Sequence, residues 1–206
     1  IVVGTTHHDS ARFFDDNRIL KYYDSYKTLN NFQSAFVVYI QIDNEVPLHH
    51  HYQIITEHLF PFSISKALFI SVSDSNDGVL SKKHYRQITA SLHTDSRIWE
   101  DISKEEYHQQ KMTLQTLLQD LICDRLCLKK EDITLIFSAT PSTFKHFIGR
   151  SQLGGNAMTL KNFLPLMPSN DTPIIGLYHV GDTSFAGQGW PGVLMGVNNL
   201  MRLINE

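Results

Sequence analysis

Cysteine, surplus positive charge and long apolar runs are all scarce in this sequence, and each scarcity removes a class of protein. Cys123 and Cys127 are the only cysteines in 206 residues. That excludes a disulfide-stapled scaffold and suits a reducing compartment. Spaced C-x3-C in a helix-like stretch, both read as small hydrophobes of a buried face. Eighteen basic against 21 acidic residues give a net charge of −3, which leaves no excess to neutralise phosphates, so no nucleic-acid partner is expected. The longest apolar run, Ala35 to Ile40, falls far short of the ~18–20 residues that span a bilayer. The opening IVVGTTHHDS lacks an initiator methionine and the charged-then-apolar pattern of a signal peptide. A chain that opens on a strand in this way reads as a piece of something longer.

What is present suits a packed fold. Apolar residues make up 42% of the chain, and a chain of this length buries roughly 70% of its unfolded surface without a metal or disulfide. Ser34 to Ile42 alternates, with Phe36, Val38, Ile40 and Ile42 on one face and Val37, Tyr39 and Gln41 on the other, the period of a strand. Ala67–Ser73, Arg86–Leu92 and Ile133–Ser138 also read as strands, with Asp74–Gly78 as turn material. A helix is expected from Lys104 to about Leu126, opened by a Ser103/Glu106 capping box. Its apolar stripe is Tyr107, Leu114, Leu117, Leu118, Leu121 and Ile122. Thr140-Pro141 opens a short helix that Gly149 ends. Near the start, a helix is expected around Asp9–Leu20, and the aromatic cluster Phe13, Phe14, Tyr22, Tyr23 and Tyr26 is expected to pack. Strands gathered ahead of the long helix argue for an α+β fold with a mixed, largely antiparallel sheet.

Few residues point to chemistry. His49-His50-His51 cannot converge on one ion from a regular element, because strand neighbours face opposite ways. No HExxH or Cys/His ligand spacing occurs, so no metal is expected and the triplet reads as a surface loop. Neither a G-x-S-x-G elbow nor an activated cysteine is found. Asp15-Asp16 and Glu105-Glu106 are neighbours that splay apart as solvated faces. The C-terminus differs. Ile174–Val180 is expected as a strand, followed by Gly181-Asp182, a loop through Ala186, and Gly187-Gln188-Gly189-Trp190-Pro191-Gly192. A final helix then carries Val193, Leu194, Val197, Leu200, Met201 and Ile204 on one face. Strand, glycine loop and helix start are the parts of an anion or cofactor cradle. Residues 187–192 spell G-x-G-x-x-G, but five residues separate Gly181 from Gly187 and no second strand with an acidic residue follows. That argues against the dinucleotide fingerprint. A glycine loop that merely caps a helix is the alternative.

LYHVGDTSFAGQGWPGVLMG (Leu177–Gly196) resembles the C-terminal flavin-binding signature of the phytoene desaturase and carotenoid isomerase family. Supporting stretches are SAFVVYIQI (Ser34–Ile42), the His93-Thr94-Asp95 stretch with Trp99, ATPSTFKHFIGR (Ala139–Arg150) and IVVGTTHHDSARFF. Gly181-Asp182 is similar to the isomerase branch, and Trp190-Pro191-Gly192-Val193 to the bacterial desaturase branch, with cyanobacterial-type carotenoid 3′,4′-desaturases similar too. Ala186 stands where many members have proline, and the family's N-terminal ADP-binding glycine motif is absent. The resemblance implies the C-terminal portion of such an enzyme. Residues 1–30 would leave a flavin domain, 31–172 would form the substrate domain, and 173–206 would return to contact FAD. It further implies Gly181, Asp182, Gly187, Gln188, Gly189, Trp190, Pro191, Gly192 and Val193 as FAD-binding residues. Asp182 would bond the ribityl or pyrophosphate portion, and Gln188 to Val193 would face the ring. No catalytic acid or base is evident.

The implied reaction is desaturation of a carotenoid by hydride transfer to FAD. Cis–trans isomerisation is the alternative within the family, and a non-catalytic lipid- or protein-binding α+β module the alternative outside it. The implied setting is cytoplasmic and peripheral to a membrane, with the electron acceptor left open. For the polyene, the candidate surfaces are the outward sheet residues Val37 and Tyr39 and the segment Leu59–Ile64. Ordinary packing is the plainer reading of both.

Overall fold

A computed structural model describes residues 1–26, 32–43, 46–74, 85–156, 160, 163, 166–185 and 189–205. The chain divides into two compact units: Phe32–Leu153, and Ile1–Asn31 together with Gly154–Glu206. We call them the sheet unit and the split unit. The fold is mixed α+β, as the sequence pattern requires.

The sheet unit is built on β2 (Gln33–Asp43), β3 (His51–Ile55), β4 (Ala67–Val72), β5 (Tyr85–Asp95) and β6 (Ile133–Ala139), ordered β3-β4-β5-β2-β6. Every neighbouring pair is antiparallel. β2 and β5 pair along their whole length, from Gln33 opposite Asp95 to Asp43 opposite Tyr85. Because side chains alternate, this register gathers Phe36, Val38, Ile40 and Ile42 with Leu68, Ile70, Ile88, Ala90 and Leu92 on one face. That face meets α3 (Lys104–Leu126) through Leu114, Leu118, Ile122 and Leu126. Burying one such side chain is worth ~1.5–3 kcal/mol, so this layer holds the unit together.

α3 begins where the sequence places it. The Ser103 hydroxyl accepts from Glu106 N, and Ser103 N donates to the Glu106 carboxylate. The carboxyl of Glu106 is lowered by that backbone bond. Leu117 departs from the expected stripe and is exposed. Cys123 is buried, and burial raises its thiol. Cys127 is exposed and does not share that face: it ends the helix in the left-handed conformation, with φ 54°. Leu128 N then closes back to Cys123 O at 2.9 Å, a Schellman-type stop. α4 (Pro141–Ile148) has Thr140 as N-cap and Gly149, at φ 78°, as its stop.

A single 3-10 turn, Ser96–Trp99, follows β5 and carries the buried Trp99 against Phe36 with ring centroids 5.4 Å apart. The Trp99 Nε1 donates to Thr94 Oγ1 (2.9 Å), which donates to Phe62 O (2.6 Å). This relay ties the 59–64 segment to the core. The edge strand β3 is absent from the sequence reading, and His51, expected in a loop, is its first residue. Its outward residues His51 and Gln53 hide the inward Tyr52 and Ile54 from a hydropathy pattern. Asp43 and Asp74 flank segments that lie outside the described residues, as does most of the expected 74–78 turn.

The split unit has a two-stranded parallel sheet, β1 (Val2–Val3) beside β7 (Tyr178–His179). The strand expected over Ile174–Val180 shrinks to Tyr178–His179. Leu177 N turns back to Ile174 O, Thr172 Oγ1 takes the Ile174 amide, and Gly176 adopts φ 77°. The expected helix around Asp9–Leu20 is broken. α1 (His7–Ser10) runs into a 3-10 turn at Ala11–Phe13, and α2 (Asn17–Ser25) restarts after Asp16. The Asp16 carboxylate caps α2 by accepting from Arg18 N, and Arg18 lowers its pKa to about 2. Ile19 and Tyr23 pack with Leu177. Phe13 of the aromatic cluster is exposed, under the Arg12 guanidinium.

α5 (Gly189–Asn205) buries Gly192, Gly196 and Leu200. Of the expected apolar face only Leu200 is buried; Val193 is half-buried, and Leu194, Val197, Met201 and Ile204 are exposed. The helix approaches its unit by its small residues, because a glycine stripe admits closer backbone contact than leucine does.

Candidate functional site

The C-terminal segment is shaped by its bends. After His179, Gly181 sits at φ 147°, a conformation that favours glycine, and a Cβ there would lie 3.8 Å from Thr5 O. Ser184 N and Oγ both donate to Gly181 O, closing the turn. Asp182 lies half-buried at this turn. Gly155 packs its backbone directly on Asp182, so that a Cβ would fall 1.9 Å from Asp182 O. Asn156 Nδ2 donates to Thr183 O at 2.8 Å. Val180 N donates to Val3 O, and Phe185 N to Pro168 O.

Behind the turn is a buried polar cluster that the sequence reading did not single out. His7 and His179 are 1% and 0% exposed, and their ring centroids stand 3.9 Å apart. Thr183 Oγ1 accepts from the His7 amide at 3.2 Å and meets His7 Nδ1 at 2.9 Å. His179 Nε2 lies 3.1 Å from Ser10 Oγ. Asn170 accepts from His179 N and donates to His179 O. Tyr22, Tyr23 and Tyr26 surround the His7 ring. Burial pushes His179 down to about 4, against the backbone at Thr5 and the Asp182 charge, which favour its protonated form. Burial likewise raises all three tyrosines. One signal was available: His179 interrupts an apolar stretch, LYHV, where a solvated histidine has no place.

Of the residues predicted to meet a cofactor, Gly181 and Asp182 share the turn. Gly189, at φ 70°, begins α5, where Trp190 is 80% exposed and Pro191 is exposed. Gly192 is buried and Val193 half-buried. Gly187 and Gln188, with Ala186, lie outside the described residues. This donor set suits a flavin: a half-buried carboxylate can accept from sugar-alcohol hydroxyls, and a helix N-terminus favours a developing negative charge by ~0.3–2 kcal/mol.

The sheet unit offers a different kind of surface. Opposite α3, the register aligns Ile55, Phe69, Ser91, Val37, Tyr39, Phe137 and their neighbours on one face. Tyr39 stacks on Phe137 at 4.9 Å, and Phe69 lies 6.1 Å from His93. Val37 is buried, while Phe69, Leu135 and Phe137 are about half exposed. Between the strand ends this face carries no lysine, arginine, aspartate or glutamate among the described residues. In the Leu59–Ile64 segment, Leu59 and Ile64 are exposed, Phe60 is buried and Phe62 rests near Trp99. The histidine triplet is exposed, with His50 Nε2 3.8 Å from the Asp74 carboxylate. No group of three metal-ligating side chains gathers among the described residues, and no described helix is long and apolar enough to cross a membrane.

No protein-family model matches the chain. Among curated proteins it is similar to prolycopene isomerases 1 and 2, chloroplastic, of an Oncidium hybrid cultivar. Each is 31% identical over 130 residues, covering 60% of this chain and 22% of the relative. Prolycopene isomerase, chloroplastic, of Daucus carota is 30% identical over 131 residues, covering 60% of this chain and 20% of the relative. The chain thus spans about a fifth of the length of the curated relatives it matches, which carry the name prolycopene isomerase.

Proposed function

We propose that this chain is part of a flavin-dependent enzyme acting on carotenoids. In this reading the open sheet face binds the polyene, and the Gly181–Val193 segment contacts FAD. The observation that carries it is the uncharged, aromatic sheet face. A long hydrocarbon gains ~25 cal/mol per Å² of apolar surface withdrawn from water, and a single unpaired charge in its path would forfeit several such contacts.

When bound, the flavin supplies the redox chemistry. The rest falls to the protein. The Asp182 carboxylate would hold the flavin by accepting a hydrogen bond from one of its sugar-alcohol hydroxyls. The N-terminal turn of α5 would offer its positive end to negative charge developing on a bound flavin. Tyr39, Phe137 and Phe69 hold the polyene and keep water from it. The exposed Leu59 and Ile64 give the sheet unit an apolar tip for peripheral contact with the lipid that stores such substrates.

Isomerisation fits the names of the relatives. Desaturation is the second reading, supported by the likeness of Trp190-Pro191-Gly192-Val193 to the desaturase branch. The test is to incubate the full-length protein with FAD and prolycopene in phosphatidylcholine vesicles. The expected result is bound flavin and a change in double-bond geometry at constant mass; loss of two hydrogens identifies the desaturase instead. Phe137→Glu is expected to lower turnover about tenfold with little change in thermal midpoint, since it places a charge on the apolar face. Absence of bound flavin, or full turnover by Phe137→Glu, overturns the reading.

A further inference from the structure

Every backbone step from Val180 to Phe185 is held by a partner distant in sequence or by the turn itself. Val180 is fixed to β1, Gly181 O accepts twice from Ser184, Asp182 is backed by Gly155, and Phe185 is tied to Pro168. The tightest grip is on Thr183, the residue next to the candidate flavin ligand. Its hydroxyl has one proton and two lone pairs. It accepts from the His7 amide, and with that amide as donor it is free to give its own proton to His7 Nδ1. His7 therefore holds Thr183 with two contacts, and Asn156 holds the same residue's carbonyl from the Gly154–Asn156 side. His7, Asn156 and Thr183 are all nine-tenths buried, so water does not compete for these bonds.

We infer that His7 and Asn156 are positioning residues: by clamping Thr183 they pre-set the Asp182 carboxylate for the flavin. The inference rests on the flavin reading given above. A short acidic turn left to itself samples many orientations, and each torsion frozen before the ligand arrives is entropy that binding no longer has to remove. Nothing in the composition of THHDS marks His7 for this work. It is the fold that brings residue 7 to residue 183.

The experiment uses the full-length protein without flavin, titrated with FAD and followed by flavin fluorescence, with amide hydrogen exchange over residues 181–185. His7→Phe keeps the ring against His179 and the backbone amide bond to Thr183 Oγ1 but removes the Nδ1 contact to that hydroxyl. His7→Asn restores a polar atom near the Nδ1 position. The clamp predicts about a tenfold weaker FAD affinity and faster exchange for His7→Phe, and affinity within about threefold of wild type for His7→Asn. Thermal midpoints of the flavin-free variants are expected to stay close together. FAD binding by His7→Phe equal to wild type overturns the inference. So does an equal loss in both variants that tracks a lowered thermal midpoint, which marks ordinary packing. Asp182→Ala separates the two levels. If it binds FAD as wild type does, or if wild type binds none, the flavin reading itself falls and takes the clamp with it. If Asp182→Ala binds weakly while His7→Phe binds normally, only the clamp falls.

Discussion

The two units solve the problem of a stable interior by opposite means. In the sheet unit, five strands and one long helix bury isoleucine, leucine, valine and one tryptophan, and these apolar side chains far outnumber the buried polar ones. Arg86 is the buried charged side chain there among the described residues, with its guanidinium on the carbonyls of Ser73, Val46 and Leu48. The split unit has a small apolar cluster around Ile19, Tyr23 and Leu177. Much of its buried material is instead histidine, serine, threonine and asparagine bonded to backbone. Apolar burial is non-directional and tolerant. A buried polar network must be satisfied group by group, and in return it fixes directions. The sheet unit is suited to being a platform, and the split unit to holding one turn in one orientation.

Removing Trp99 is expected to have the largest effect on stability. Trp99→Ala deletes a side chain lodged between Phe36, Phe62 and Tyr107 and strands the Thr94 relay. A loss of about 3–5 kcal/mol in urea unfolding follows from the cavity. A loss below 1 kcal/mol would show that the sheet unit does not depend on this packing.

Acid is expected to act on the other unit. The value of His179 is about 4 in the folded protein against an ordinary 6.5, so the unfolded chain takes the proton first. Stability therefore declines as pH falls from about 6.5 to about 4, by about 3 kcal/mol, and is level above that window. Every described histidine of the sheet unit is exposed, so the part of the loss that a buried histidine causes should be confined to the split unit. His179→Gln, which keeps a polar atom near Nε2, should flatten the profile measured by urea midpoints between pH 4 and 7.5. An unchanged slope would show that another group carries the acid sensitivity.

The smallest effect is expected at the start of α3. Ser103→Ala removes half of the α3 capping box and is expected to cost about 1 kcal/mol, visible as a shift in thermal midpoint. A helix locked down by the apolar layer beneath it should lose no more than this.

The same contrast governs what could be seen in the sequence. β2, α3 and α4 lie within a residue or two of where periodicity and caps place them, because Phe36-x-Val38-x-Ile40 and the Ser103/Glu106 pair are local signals. β3 was hidden because its outward positions are histidine and glutamine, and the face of α5 was misassigned because glycine has no hydropathy to register. Of the candidate site, Gly181 and Asp182 were legible as a bend after a strand. The clamp was not, since His7 and Thr183 are 176 residues apart and a short motif carries no trace of a contact that long.

The sheet face free of formal charge has a thermodynamic corollary. Ionic strength has nothing there to screen, so a molecule settling on that face should do so equally well in dilute and concentrated salt. Tyr39, Phe69 and Phe137 lie there among glutamine, serine, threonine and histidine side chains, and association over the aromatic rings should carry the negative heat-capacity change of apolar contact. Calorimetry across a span of temperatures would thus recognise an occupant of this platform by its signature, whatever its chemical name.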